Sequence, residues 1–150
     1  MPLVSTKSPI LVDMSGTLVE EDLCQSIIGA FYAVYNYYGY GLSEAVYSGA
    51  MEYELTDRGH DVVRELLVPI SYKGRFVKWQ RIDMVVDRKV LVENKARGRL
   101  PKSDLDQVRS YLRATVFEVG LLLHFGPEPR FFRYIDSPKS EFVRSTSGRS

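Results

Sequence analysis

Residues 81–96 read RIDMVVDRKVLVENKA, two short apolar runs on either side of Asp87-Arg88-Lys89. Apolar residues recurring at a period near two around a polar turn predict a β-hairpin. Side chains alternate along a strand, so Glu93 and Lys95 share one face while Val92 and Asn94 point to the other. A three-residue loop pairs Val86 with Val90 and sets Asp83 opposite Glu93. A two-residue loop would set Asp83 against Asn94 instead. The odd loop, or a bulge, is the expectation, and it gathers Asp83, Glu93 and Lys95 into one cluster. Two close carboxylates repel unless a cation lies between them, and hard oxygen donors select Mg²⁺ or Mn²⁺. Such a cation acidifies a bound water and neutralises charge on a phosphate, which is the chemistry of phosphodiester hydrolysis. Lys95 is placed to orient that water or stabilise the transition state. The plainer alternative is a solvated strand face with Glu–Lys pairing.

Working outward, VRELLVPISYKG and RFVKWQRIDMVVD read as strands joined at Lys73-Gly74. Upstream the period is helical. Leu23, Ile27, Ala30, Phe31, Val34 and Tyr38 form one apolar face, ended by Gly39 and Gly41. A second helix follows Ser43 as N-cap candidate, with Ala45, Tyr47, Met51 and Leu55 inward and Gly59 as its stop. Downstream lies a polar loop from Gly98 to Ser103. Asp104 is the candidate cap of a third helix that turns Leu105, Val108, Tyr111 and Leu112 inward. EVGLLLHFG reads as a strand buried on both faces, and RFFRYI as an edge strand. The order predicts an α/β (α+β) fold, a central mixed sheet with an antiparallel meander flanked by helices. Residues 1–19 read as an N-terminal arm or extra edge strand, 20–136 as the domain, and 137–150 as a disordered tail.

Composition narrows the function. A net charge of +1 gives no global pull on nucleic acid or membrane, so any such attraction is local. The single cysteine, Cys24, excludes an internal disulfide framework and a Cys-based zinc site. The absence of a long apolar run or a leader pattern suggests a soluble, cytoplasmic chain. ILVDMSGTLV at 10–19 imitates the aspartyl nucleophile motif of haloacid-dehalogenase-type phosphatases. That chemistry needs a second acid two residues after Asp13, where Ser15 stands, and a longer alternating α/β sheet. Asp13 is therefore read as a turn residue.

Six blocks occur in one order: GLSEAVY at 41–47, YKG at 72–74, RIDMVV, VLVENKA, QVRSYLRAT and GLLLHFG. Together, over residues 20–136, they resemble the GxxExxY family of small prokaryotic proteins, placed in the PD-(D/E)XK nuclease superfamily. Gly41, Glu44 and Tyr47 stand at the positions of the family name. The resemblance implies a restriction-endonuclease-like core, with Asp83, Glu93 and Lys95 as the D…ExK triad and Mg²⁺ or Mn²⁺ as cofactor. Glu44, Asp83 and Glu93 would hold the metal. Gln107 and Tyr111 match the QxxxY element of RecB-type nucleases, where Gln107 orders the lysine or contacts nucleic acid. The chain departs from the pattern at Asn94, usually apolar and here turned toward a core layer, and at Tyr35, where a histidine is expected.

Lys95, Arg97, Arg99, Lys102, Arg109 and Arg113 follow the triad as a basic strip suited to a phosphate backbone, DNA ahead of RNA. A solvated loop and helix face is the competing reading. The tyrosines of FYAVYNYYGYG are expected to serve packing or a homodimer surface on the first helix, ahead of stacking on single-stranded bases. His60 and His124 stand alone in the sequence, and His124, inside an apolar strand, is expected to be buried and hydrogen-bonded. Trp79 is a core or substrate-wall residue. The leading function is a metal-dependent nuclease, and the alternative is a degenerate nuclease fold that binds nucleic acid or a protein.

Overall fold

A computed structural model describes residues 20–136. The Asp13 motif, the 1–19 arm and the 137–150 tail lie outside them. The elements run α1 (Glu21–Tyr38), α2 (Glu44–Asp57), β1 (Val62–Tyr72), β2 (Arg75–Val86), β3 (Val90–Lys95), α3 (Lys102–Ala114), β4 (Val119–Phe125) and β5 (Pro129–Ile135). The five strands form one sheet in sequence order. All neighbours are antiparallel except β3 and β4, which are parallel and joined by α3. This is the mixed sheet expected, with β5 at one edge and β4 buried along its whole length.

Helices α1 and α2 cover one face of the sheet and α3 the other, each burying its own apolar cluster. On the first face, Tyr47 stacks on Phe125 at 4.3 Å between ring centres, and Phe31 meets Phe125 edge-on at 4.8 Å. Such pairs contribute about 0.5–1.5 kcal/mol beyond area burial. On the other face α3 lies against β4 at Gly120, where a Cβ would fall 2.9 Å from Val108 Cγ1. Any larger residue there would push the helix off the sheet.

Several local expectations shift. Helix α3 starts at Lys102 behind an extended Pro101, so Asp104 sits inside its first turn rather than capping it. Arg97 takes the Asp104 carboxylate at 3.1 Å, a tertiary partner that competes with the capping role. Ala45 is exposed and Ser48 is buried in its place, because α2 turns a polar residue toward Asn94. Tyr38 is half-exposed at the end of α1, leaving Val34 as the last residue of that face that the core buries.

His60 is not isolated. Its Nδ1 lies 2.7 Å from Asp87 Oδ2 and its Nε2 lies 2.7 Å from Ser26 Oγ. A carboxylate only accepts, so Nδ1 carries a proton, and in the neutral ring Nε2 accepts from the serine hydroxyl. The relay has the order of a hydrolytic triad, but Ser26 is inside α1, where neighbouring N–H groups are committed to helical carbonyls and none is left for an oxyanion. Its work is to tie α1, the end of α2 and the β2–β3 turn together. His124 is buried and shares a 2.7 Å hydrogen bond with the Arg97 carbonyl through Nε2. Burial pushes the Cys24 thiol up to about 11, which makes it inert. Among the described residues no helix is long and apolar enough to cross a membrane.

Candidate active site

The β2–β3 loop holds the three residues expected, with Asp87 at φ 53° and Arg88 at φ 58°. Val86 pairs with Val90 and Met84 with Val92. One step further, where Asp83 and Glu93 should face each other, the backbone ladder stops. The Asp83 N–H donates to Glu93 Oε2 at 3.1 Å, and the Asn94 N–H donates to Asp83 Oδ2 at 3.0 Å. Each carboxylate takes the place of a backbone carbonyl as the strands part.

The strand also rolls over at this point. Ile82 packs in the α3 cluster and Met84 in the α1–α2 cluster, although residues two apart on a regular strand share a face. Glu65, the β1 residue that regular pairing would set against Asp83, has φ 53° and is missing from the ladder. The same turn corrects the expectation for Asn94. Its amide does enter the layer under α2, donating to Ser48 Oγ at 3.2 Å, but it also donates to Asp83 Oδ2 at 3.1 Å. Asn94 therefore touches the site, and its Oδ1 has no partner among the described residues.

Glu93 is buried, and burial pushes its carboxyl up to about 7. The Asp83 N–H opposes this, the Asp83 charge adds to it, Lys95 opposes it, and Glu44 adds the smallest contribution. No hydrogen bond among the described residues engages Asp83 Oδ1 or Glu93 Oε1, and Lys95 is half-buried with no ion pair. Uncommitted carboxylate oxygens beside a buried acid of raised pKa fit a hard divalent cation, whose charge would offset the repulsion. Glu44 is the exposed first residue of α2, and among the described residues no three acidic, His or Cys side chains already converge as a cage.

The loop ahead of Glu44 is held by Tyr47. Its buried hydroxyl donates to the Gly39 carbonyl and accepts from the Leu42 N–H at 3.2 Å, while Gly41 adopts φ 121°. On the opposite helix, Tyr111 lies close enough for Glu93's charge to act on it, and its hydroxyl accepts from Gln80 Nε2 at 3.1 Å. Gln107, one turn earlier, is half-buried and makes no side-chain hydrogen bond among the described residues. Tyr35 is occupied elsewhere, donating to the Gly126 carbonyl at 2.6 Å.

A family model described as the PD-(D/E)XK nuclease superfamily matches residues 21–134. This chain belongs to that superfamily. Comparison with curated proteins finds no match. A solved structure titled "Crystal structure of SSO0001" is similar at 19% identity, with a TM-score of 0.48, over 87% of this chain. The chain spans 66% of that protein's length.

The basic residues of this PD-(D/E)XK protein do not form one strip. Arg97, Arg99 and Lys102 line a cleft of about 1100 Å³ with His124 and Arg130, beside the end of β3. Arg97 is paired with Asp104 and Lys102 with Asp106, each at 3.1 Å. Arg109 and Arg113 instead border a separate hollow with Asp136, and the Arg109 guanidinium lies 5.2 Å from the Tyr134 ring. Sequence reasoning missed Ser48 and Gln80 as neighbours of the site. The available signals were a small polar residue on the inward face of α2 and a polar residue two before inward Ile82.

Proposed function

We propose that this chain is a divalent-metal-dependent nuclease hydrolysing phosphodiester bonds of DNA, or of RNA. The observation that carries the reading is the Asp83–Glu93 interlock, in which each carboxylate is held by a backbone N–H and keeps one oxygen uncommitted. Asp83 and Glu93 would hold Mg²⁺ or Mn²⁺, with Glu44 approaching from α2. A bound cation supplies an acidified water and charge neutralisation at the phosphate. Lys95, free of ion pairs among the described residues, orients that water or neutralises the phosphate oxygens. Gln107 and Tyr111 stand on the α3 side to steady Lys95 or substrate. Arg97, Arg99 and Lys102 guide the sugar-phosphate backbone from the cleft beside β3, and Arg109 and Arg113 would add a separate contact at the hollow beside Tyr134. Gly41, Glu44 and Tyr47 support the narrower GxxExxY reading, since Tyr47 holds the loop from which Glu44 starts.

A second reading, nucleic-acid binding without turnover, is favoured by Asn94, whose amide already occupies Asp83 Oδ2. Wild type and Asp83→Ala incubated with labelled single- and double-stranded DNA and RNA, in Mn²⁺, Mg²⁺ or EDTA, separate the two. Metal-dependent cleavage that the variant loses supports the nuclease. Intact substrate in every lane, with salt-dependent binding retained, moves the conclusion to the second reading.

A further inference from the structure

β1 and β2 pair from Val62–Val86 out to Tyr72–Arg75, but β2 pairs β3 only over residues 84–86. Among the described residues the hairpin has no third strand beyond Asp83, so there it forms a two-stranded arm about 25 Å long that starts at the catalytic candidates. One face of the arm is used along its inner part, whereas residues 71–79 are exposed on both sides. Leu66, Val68, Ile70 and Ile82 pack in the α3 cluster, and Gln80 bonds Tyr111. The opposite face is open, with Trp79 at 56% exposure across from Pro69 and its ring 5.3 Å from that of Phe76, exposed at 57%.

The charge on this arm is one-sided. Residues 66–81 carry Lys73, Arg75, Lys78 and Arg81 and no Asp or Glu, hence four positive charges minus none, in a chain whose net charge is +1. Arg81 is paired with Glu65 at 3.3 Å, and Arg75 and Lys78 have no acidic partner among the described residues. Exposed aromatic rings on a strand that also carries unpaired cations suit a polyanion whose bases are unstacked, because every base offers a π-face and every linkage a phosphate. A duplex hides its bases and has no use for Trp79. A second copy of the chain adding a strand to β1 is disfavoured by Pro69 in that edge strand, which cannot donate to a ladder.

We propose that the arm binds single-stranded nucleic acid, with bases stacked on Trp79 and Phe76 of its open face, the nearest phosphates met by Arg81 on that face and flanking ones by the exposed Arg75 and Lys78, which the register sets on the other side beside Tyr72 and Ile70, and that it leads the strand to Asp83 and Glu93. The inference rests on the nuclease-fold reading for the class of ligand, and its test does not depend on cleavage. Trp79 is the only tryptophan in the chain, so its emission reports directly on stacking. Titration of the intact protein with oligodeoxythymidylate in EDTA should quench Trp79, with an affinity that falls as salt rises. A duplex of equal length should bind more weakly and quench less. Trp79→Ala, followed by a labelled oligonucleotide, should weaken binding about tenfold, and Arg75→Ala with Lys78→Ala should flatten the salt dependence. Unchanged emission together with unchanged affinity in Trp79→Ala overturns the proposal. So does a wild-type dimer in light scattering that Trp79→Ala converts to monomer, which would make the face an interface between copies. Cleavage without quenching sinks the arm and spares the nuclease, whereas quenching without cleavage does the reverse.

Discussion

Asp83 and Glu93 are joined through each other's backbones: Glu93 Oε2 accepts the Asp83 N–H at 3.1 Å, and Asp83 Oδ2 accepts the N–H of Asn94, Glu93's neighbour, at 3.0 Å. The side chains that would ligate a metal thus also close the gap where two strands separate. Glu93→Gln keeps an oxygen for the Asp83 N–H and should melt near wild type, while Mn²⁺ affinity falls at least about tenfold. Glu93→Ala leaves that N–H without an acceptor and should lower stability by about 1–3 kcal/mol. Thermal unfolding and calorimetric Mn²⁺ titration read the two effects. Equal melting of both variants would mean the interlock does not support the fold.

Asn94 donates to Ser48 on α2 and to Asp83 at the site. Asn94→Ala should cost about 1–3 kcal/mol and Ser48→Ala about 1 kcal/mol. The pair should be non-additive, because each single change already breaks the shared bond. Denaturant unfolding of the two single variants and the double variant tests this, and strict additivity would refute the bond.

Burial raises the folded-state pKa of Glu93 from 4.5 to about 7. Between those values the folded state binds more protons than the unfolded one, so stability falls as pH rises through the window. Added Mn²⁺ should oppose that fall by favouring the ionised carboxylate. Melting temperatures from pH 4.5 to 7.5, in EDTA and in Mn²⁺, check it. The slope and its relief by metal should both shrink in Glu93→Gln.

Asp87 moves the other way. Burial pushes its carboxyl up, but the Asp61 N–H at 2.8 Å and the His60 ring more than offset this and hold it below the ordinary value of 3.8. Its contribution is present above that unfolded-state value and is lost as pH falls through the depressed one. Asp87→Ala should lose about 1–3 kcal/mol at pH 7, from the bonds to Asp61 and His60, and show a shallower acid limb. Acid titration followed by circular dichroism makes the comparison. An acid limb as steep as wild type would assign that loss to other carboxylates.

The two-residue and three-residue turns, the Val86–Val90 register, the doubly buried β4 and the edge position of β5 are all readable from residues 62–135, because strand period and turn length are local properties. Proximity of Asp83 to Glu93 follows from that register too. The manner of their meeting does not. The positive φ at Glu65, the roll of β2 between Ile82 and Met84, and the capture of each backbone N–H by a carboxylate arise where two strands diverge. Whether strands diverge depends on what packs against each side.

The same limit hides the Ser26–His60–Asp87 relay, the Ser48–Asn94 bond and the Gln80–Tyr111 bond, whose directly bonded partners lie 27 to 46 residues apart. It also misleads at Asp104, a good capping residue that Arg97 draws into an ion pair inside the first turn of α3. Residue order and periodicity sufficed to put two acids and a lysine on neighbouring strands of a mixed sheet. Which oxygens are left for a cation was decided only in the folded chain, because a carboxylate's partner depends on which distant N–H the packing of α2, α3 and the sheet brings within hydrogen-bond reach.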